Sequence, residues 1–333
     1  MNMKKKIMVA LCVILSLIMF AGCSSKPAPQ PTGAAEPAAE KEWKFERKIE
    51  MVCPFGPGSG TDTTLRAFLP MMEKELGVSI VINNVEGASG VKGAEYLAKQ
   101  PADGYTFGMF TPSHVISAVN GTSNFDILND TIPVVRLVQD ANIVLAGKKV
   151  PYNNLKELVE YAKANPGKAK IGLMSIAGID AVSVKQLFDA ADIDVPLVPY
   201  SSGAEVNAAV IGGHCDMVLT SPFDANAYLE SGDMKAIVIL SEKRASTLPD
   251  VECTGELGYN AYIGPWRGIV AMKGTPEGAI KAFEAAAVKV CASKEWDDWK
   301  NSVSLNDREG FANREQFTKI WLEYYETMKK LLK

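Results

Sequence analysis

The sequence predicts an α/β protein of two lobes joined by a two-strand hinge. Apolar strand-like segments alternate with helix-like segments along the chain, an order typical of parallel sheets covered by helices. About 290 residues follow the N-terminal segments, which is enough for two cores. Two similar stretches, 142–147 and 268–274, flank the second half of this body. We expect the chain to leave the first lobe on one stretch and to return on the other.

The N-terminus has the pattern of an export signal. Lys4, Lys5 and Lys6 precede an uncharged run over 7–20, and Ala21, Gly22 and Cys23 follow it. This run of about fourteen residues is shorter than the roughly twenty that a membrane-spanning helix needs. We therefore expect a signal peptide over 1–22 that is removed during export.

Residues 20–23 resemble the lipobox of bacterial lipoproteins, in which the cysteine thiol is acylated. Cys23 would then anchor the protein to a membrane on its extracytoplasmic side, whereas the alternative is a plain secretory signal with an incidental cysteine. Residues 23–45 are rich in Pro, Ala and Glu. Such a segment has little to bury, so we expect a disordered spacer.

Charge and cysteine content exclude several classes of protein. Removal of the three N-terminal lysines takes the formal net charge from −4 to −7, and no basic cluster with interleaved aromatic residues indicates a nucleic-acid partner. An anionic ligand must therefore be held by local groups. Cys53, Cys215, Cys253 and Cys291 show no CxxC spacing. We interpret them as buried thiols, with one disulfide as the alternative.

The order of elements can be read along the chain from hydrophobic periodicity and turn residues. The first unit is predicted to have strands 49–53, 79–83 and 106–110 and helices 61–76 and 91–99. Pro70 should kink the first of these helices. The second unit is predicted to have strands 170–173, 195–198, 216–219 and 235–240 and helices from about 154, 180–190 and 204–211. We expect 46–147 with 268–333 to form the first lobe and 148–267 the second.

The loop after the first predicted strand is the strongest candidate for ligand binding. Ligands of open parallel sheets bind beyond the carboxyl ends of the strands, where helix N-termini offer free N–H groups and partial positive charge. Glycines let the backbone approach a ligand, and hydroxyls add donors. The candidate residues of this loop are Phe55, Gly56, Gly58, Ser59, Gly60, Thr61 and Asp62. A tight turn with an ordinary helix cap is the alternative, because the loop matches neither GxxxxGK[ST] nor GxGxxG.

Four more loops of small residues follow predicted strands, and together they indicate one shared cleft. Their candidate residues are Ser89, then Thr111, Ser113 and His114, and in the second lobe Ser175, Ala177 and Gly178, then Tyr200, Ser202 and Gly203. His114 could donate a hydrogen bond to a carboxylate, although a single histidine near a strand end is more often structural.

Catalytic and metal sites are not expected. No G-x-S-x-G elbow occurs, and Asp62 is better explained as a carboxylate at a helix N-terminus than as a general base. His214 and Cys215 are adjacent, but the chain has only two histidines and lacks HExxH and paired CxxC motifs, so no metal is predicted. We expect no cofactor.

Several short motifs carry a resemblance to a known family. The chain contains PFGPGSGTD at 54–62, NNVEGASG at 83–90 and PADGYT at 101–106, followed in order by VPY, GGHCD, LPDV and ELGY. These motifs resemble those of the substrate-binding receptors of tripartite tricarboxylate transporters, the TctC or Bug family of periplasmic binding proteins. The resemblance covers nearly all of the chain after the spacer.

This resemblance implies a type II periplasmic-binding fold in which backbone amides, hydroxyls and ordered water hold a ligand carboxylate. Around the site it places Phe55, Ser59, Thr61 and Asp62 of the first lobe and Ser175, Ala177, Gly178 and Ser202 of the second, with Trp266 as a wall. Residues 176–180 replace a more Gly/Ser-rich run of the family, and Cys253 stands where the family often has proline. The first departure leaves the identity of the ligand open.

The resemblance therefore implies a binding protein and not an enzyme. We expect a monomer that captures a dicarboxylate or tricarboxylate between its lobes and delivers it to a membrane permease. One alternative is a receptor that passes its ligand state to a signalling partner. A second alternative is a cell-envelope hydrolase on an α/β scaffold.

Overall fold

A computed structural model describes residues 43–124, 126–174, 176 and 178–332. The predicted signal peptide, the acylation site at Cys23 and nearly all of the spacer lie outside these residues. Ser175 and Ala177, two of the candidate ligand-binding residues, also lie outside them.

The first sheet contains five strands in the order β2-β1-β3-β10-β4. Its strands are β1 (Ile49–Cys53), β2 (Ile80–Asn84), β3 (Thr106–Phe110), β4 (Thr131–Gln139) and β10 (Trp266–Met272). β1 pairs in parallel with β2 and β3, whereas β10 is antiparallel to both β3 and β4. Its helices are α1 (Gly60–Leu76), α2 (Val91–Ala98), α3 (Pro112–Val119), α8 (Glu277–Cys291), α9 (Lys294–Ser302) and α10 (Arg314–Leu331).

The second sheet also contains five strands, in the order β7-β6-β8-β5-β9. Its strands are β5 (Asn142–Gly147), β6 (Ile171–Leu173), β7 (Leu197–Pro199), β8 (Met217–Thr220) and β9 (Met234–Leu240). β6 is parallel to β7 and β8, and β5 is antiparallel to β8 and β9. Its helices are α4 (Leu155–Ala164), α5 (Ile179–Ala191), α6 (Gly203–Gly212) and α7 (Pro222–Glu230).

Each sheet has its own core, which confirms two lobes. In the first lobe, Phe107 stacks on Phe283 with ring centroids 4.2 Å apart, and both side chains are fully buried. In the second lobe, Tyr152, Leu158 and other apolar residues form a separate buried cluster. Because apolar burial is the main favourable term in folding, two such clusters make each lobe a packing unit.

The local sequence explains where helix α1 begins and ends and how it fixes the loop before it. Ser59 caps the helix, since its Oγ accepts a hydrogen bond from the amide of Asp62 at 3.2 Å. Gly77 ends the helix in the left-handed conformation, with a φ of 71°. Pro70 lies within α1, which continues through it as one helix. Leu65 and Phe68 on the buried face anchor the helix to the sheet.

The links between the lobes differ from the prediction. The stretch Asn142–Gly147, which we expected to belong to the first lobe, is β5 of the second sheet. The chain therefore crosses between lobes at Asp140 and Ala141 and returns just before Trp266. Both stretches that we expected to cross between the lobes are apolar and largely buried, because each is an inner strand of a sheet. The connections between the lobes are the short segments that precede these two strands. Strand β4 was not predicted, and neither sheet is wholly parallel.

Candidate functional site

A cleft of about 770 Å³ lies between the two lobes. Its first-lobe wall is the loop that opens α1, and its second-lobe wall comes from the ends of β6 and β8 and the first turns of α5, α6 and α7. The lining residues are Pro57, Gly58, Ser59, Gly60, Gly172, Leu173, Met174, Asp180, Gly203, Ala204, Val206, Asn207, Val218, Leu219, Thr220, Phe223, Asp224, Ala227 and Tyr228.

The carboxylate of Asp62 holds the first-lobe loop in shape and is only 1% exposed. Its Oδ2 accepts hydrogen bonds from the amide of Gly58 at 2.9 Å and from Nε of Arg66 at 2.8 Å. Its Oδ1 accepts from Nδ2 of Asn84 at 3.0 Å. Burial opposes ionisation of Asp62, but these donors outweigh it and lower its pKa. Asp62 is therefore a positioning residue within the loop.

The first two amides of α1 remain free for a ligand. The amide of Ser59 donates to the carbonyl of Gly56, and the amide of Thr63 donates to that of Ser59. In the described part of the chain, no acceptor is found for the amides of Gly60 and Thr61. Free N–H groups at a helix N-terminus carry partial positive charge and bind carboxylates.

Two helix N-termini of the second lobe face the same cleft. Ser202 caps α6 by accepting from the amide of Glu205 at 3.2 Å, and Gly203 and Ala204 of its first turn line the cleft. Ser221 caps α7 by accepting from the amide of Asp224 at 3.1 Å. The partial positive ends of α1, α6 and α7 therefore meet at one cavity, beside the first turn of α5.

Asp180 brings a carboxylate into this cleft from the first turn of α5. Its side chain forms no hydrogen bond or ion pair with any residue that the structure describes. Removal from water raises its pKa to about 6, because the charged form loses hydration without gaining a partner.

A buried ion pair lies beneath the first-lobe loop. Nη2 of Arg267 is 3.1 Å from Oδ2 of Asp140, and a Cβ added to Gly60 would approach the same Nη2 to 2.5 Å. A larger residue at position 60 would require the guanidinium of Arg267 to shift away from its present place. The ion pair was not predicted from the sequence.

The predicted site residues divide into two groups. Gly58, Ser59, Gly60 and Gly203 line the cleft. Other described ones have structural positions: Gly56 packs against Glu86, Phe55 contacts the ring of His114, and Thr61 is buried in α1 and offers only its backbone amide. Ser89 lies in the turn Ala88–Gly90, Gly178 precedes α5, and Tyr200 packs on Gly172.

The predicted loop at Thr111, Ser113 and His114 is instead the buried start of α3. Nδ1 of His114 accepts from the amide of Thr111 at 3.1 Å, and its ring stacks on Phe110 at 4.1 Å. Burial lowers the pKa of His114 to about 4 and keeps the ring neutral. These residues do not line the cleft, and the burial and contacts of His114 agree with the structural role that was considered as the alternative.

Trp266 does not form a wall of the cleft either. It is 2% exposed and packs against Phe317 and Tyr324 in the core of the first lobe, with ring centroids 5.3 and 6.0 Å away. Its large apolar ring favours this burial in the core.

Helix α7 contributes site residues that sequence reasoning missed. Phe223, Asp224 and Tyr228 line the cleft, and the hydroxyl of Tyr228 accepts from Nδ2 of Asn207 at 2.7 Å. The signal was present as Ser221, Pro222 and Asp224, because a serine cap, a proline at the first position and an early acidic residue mark a helix start.

The described residues show no further chemical centre. No helix among them is both long and apolar enough to pass through a lipid bilayer. No three His, Cys, Asp or Glu side chains in this part of the chain gather as metal ligands would. Cys53, Cys215, Cys253 and Cys291 are free thiols, as the spacing indicated.

Comparison with known proteins decides the family. The model of the TctC family, the tripartite tricarboxylate transporter family receptors, matches residues 65–331. The chain belongs to the TctC family. This TctC receptor is 30% identical to Protein BugT of Bordetella pertussis over 235 residues. The aligned region covers 69% of the chain and 72% of BugT.

Solved structures agree with this membership. The periplasmic binding protein BugD is 25% identical, with a TM-score of 0.75 over 86% of this TctC receptor and 97% of BugD. MatC from Rhodopseudomonas palustris, solved with bound malate, has the same fold, with 24% identity, a TM-score of 0.74 and coverage of 86% and 99%. The predicted two-lobed periplasmic-binding fold is confirmed.

Proposed function

We propose that this TctC receptor binds a small organic carboxylate in the cleft between its lobes and delivers it to a membrane permease. The single observation that carries the proposal is the meeting of the N-termini of α1, α6 and α7 at one cavity, where the amides of Gly60 and Thr61 have no acceptor among the described residues. Such groups bind an anion without a basic side chain. That property suits a protein whose overall charge is negative.

The roles of the serine and histidine side chains in and near the cleft agree with a protein that binds its ligand without catalysing a reaction. Ser59 and Ser202 accept hydrogen bonds as helix caps, and His114 is buried against Phe110. A nucleophilic serine needs a base within hydrogen-bond reach. Among the residues that the structure describes, no histidine lines the cleft to act as one.

Ligand capture would involve closure of the lobes about the links at Asp140–Ala141 and before Trp266. A carboxylate on the free amides of α1 would also contact the first turns of α6 and α7 once the lobes approach. Contacts that form only in the closed state shift the population toward it. The bound malate of MatC makes small dicarboxylates a first class of compound to test.

Titration calorimetry with malate, citrate, adipate and amino acids tests the proposal. Ala204→Glu adds a negative charge at the exposed first turn of α6 inside the cleft. We expect it to weaken binding of a carboxylate by about tenfold or more, which is about 1.4 kcal/mol. Ala285→Glu adds the same charge at an exposed position of α8 outside the cleft and should leave affinity unchanged. No heat with any compound would contradict the proposal.

We further propose an extracytoplasmic location with a lipid anchor at Cys23. The lysine-rich start, the apolar run and the small residues before Cys23 support it. Cells that express the full chain should retain it in the membrane fraction and incorporate labelled fatty acid, and Cys23→Ala should abolish both. Copurification of a multi-span permease with the closed protein would support delivery, whereas a sensor kinase in its place would contradict it.

A further inference from the structure

The two walls of the cleft differ in charge. The first-lobe wall offers the free amides of Gly60 and Thr61. The second-lobe wall carries Asp180, whose carboxylate has no partner among the described residues. The second-lobe wall thus combines the N-termini of α6 and α7 with one negative group, and a ligand that extends from α1 toward Asp180 meets an anion-binding end and an anionic end.

No nearby cation neutralises Asp180. Of the described residues that line the cleft, none is Lys, Arg or His. Arg267 lies beneath Gly60 on the first-lobe side, and its Nη2 already pairs with Asp140 at 3.1 Å. The other lining carboxylate, Asp224, accepts a hydrogen bond from the Ser221 hydroxyl at 2.9 Å. Asp180 is thus the lining carboxylate that still needs a donor.

This arrangement opposes a second carboxylate on the ligand. A diacid whose first carboxylate occupies the α1 amides would bring its second negative charge toward Asp180, and like charges in a partly desolvated site repel. A protonated amine in the same position would supply the missing hydrogen bonds and opposite charge.

We infer that the natural ligand is an amine-bearing carboxylate, whose carboxylate binds the N-terminus of α1 and whose ammonium group binds Asp180. The inference rests on the proposed function, because it names the ligand class of the same cleft. The raised pKa of Asp180 agrees with it, since a carboxylate near about 6 is largely ionised at neutral pH and lacks only a counter-charge.

Matched pairs of compounds test the inference by calorimetry at neutral pH. Each pair exchanges one carboxylate for an aminomethyl group: malonate with β-alanine, succinate with 4-aminobutyrate, and adipate with 6-aminohexanoate. L-alanine and L-leucine extend the series to α-amino acids. We expect at least one amine-bearing compound to bind about tenfold or more tightly than every diacid.

Variants of the acidic residue separate its charge from general effects on the fold. Asp180→Asn should weaken binding of the amine-bearing ligand by about tenfold or more and leave diacid affinity equal or higher. Asp189→Asn, an exposed position on the same helix, removes the same charge outside the cleft and should change neither. Circular dichroism of both variants checks that they are folded.

Two outcomes would overturn the inference. Diacids that bind more tightly than their amine-bearing partners would contradict it and leave the proposed function in place. Equal losses in Asp180→Asn and Asp189→Asn would also contradict it. Absence of binding by every compound would instead count against the proposed function itself.

Discussion

Nη2 of Arg267 donates a hydrogen bond to Oδ2 of Asp140 over 3.1 Å, at the place where the chain passes between the two sheets in both directions. Both side chains are more than nine-tenths buried. Burial raises the pKa of Asp140 despite the attraction of Arg267, because desolvation outweighs it. Arg308 adds bonds from Nη1 to the carbonyl of Asp140 and from Nη2 to that of Tyr262, each at 2.9 Å.

Asp140→Asn should destabilise the protein strongly. Removal of one partner leaves the guanidinium of Arg267 buried without its counter-charge, which costs about 3–5 kcal/mol. Urea unfolding followed by circular dichroism measures the effect. Asp103→Asn breaks an exposed pair with Arg47 and should cost less than about 1 kcal/mol. Similar losses of unfolding free energy in the two variants would contradict a larger contribution from the buried pair.

Asp62→Asn should weaken both stability and ligand binding. The amide accepts fewer hydrogen bonds than the carboxylate that now holds Gly58, Arg66 and Asn84, so we expect a loss of about 1–3 kcal/mol in stability. The loop would also present the amides of Gly60 and Thr61 less well, which calorimetry would detect as lower affinity.

A matched control for Asp62 lies at the start of α4. Oε2 of Glu157 accepts from the amide of Asn153 at 2.8 Å, so this carboxylate also holds a loop before a helix, but outside the cleft. Glu157→Gln should reduce stability without a change in affinity. A loss of affinity in Glu157→Gln as large as in Asp62→Asn would refute the positioning role of Asp62.

His114 should make the protein less stable as the pH falls below about 6.5. The folded state keeps the buried ring neutral down to a pKa of about 4, whereas the unfolded chain takes up a proton near the ordinary histidine value. The unfolded state then binds more protons, so stability falls from about pH 6.5 to about pH 4 and no further through this group. The full loss is about 3 kcal/mol.

Unfolding in urea across this pH range measures the contribution of His114. His114→Gln removes the titrating group and should flatten the slope between the two values, although the variant is less stable overall. His214 is the other histidine of the chain and is exposed, so His214→Gln should retain the slope. If the slope of stability against pH were unchanged in His114→Gln, the pH dependence would come from carboxylates and not from His114.

The four thiols of the body should react slowly in the folded protein. Burial raises the pKa of Cys53 to about 11 and that of Cys291 to about 12, and it also raises the pKa of Cys215. Since the thiolate is the reactive form, modification with a thiol reagent should follow unfolding. Fast labelling of native protein that carries both Cys12→Ala and Cys23→Ala would contradict this expectation.

Local sequence patterns located most helices and strands but not the register of long-range contacts. The strands at 49–53 and 106–110 match the prediction at both ends because they are short apolar runs between turn residues. Strand β4 was missed because Pro133 and Arg136 interrupt its pattern. Proline fits there because β4 lies at the edge of the described sheet, where β10 is its neighbouring strand and its other side bonds to the chain at Arg136 through Ala312.

The site was predicted in part for the same reason. The glycine loop before α1 is a local feature, so Gly58, Ser59 and Gly60 were found. Asp140 and Arg267 are 127 positions apart, and nothing in either neighbourhood indicates the other. Asp180 lies in a run that departs from the family pattern, but only the folded structure shows that its carboxylate lines the cleft without a partner among the described residues.

The place of β10 between β3 and β4 has a consequence for the order in which the lobes form. Among the described strands, β10 is the neighbour of β4, so β4 can join the sheet only after residues 266–272 are made, which follows synthesis of the whole second sheet. The second lobe is one uninterrupted stretch and can fold as soon as it emerges, whereas the first sheet closes last, around a long loop. Nascent chains that end before β10 should therefore hold a protease-resistant second lobe beside an unfinished first one.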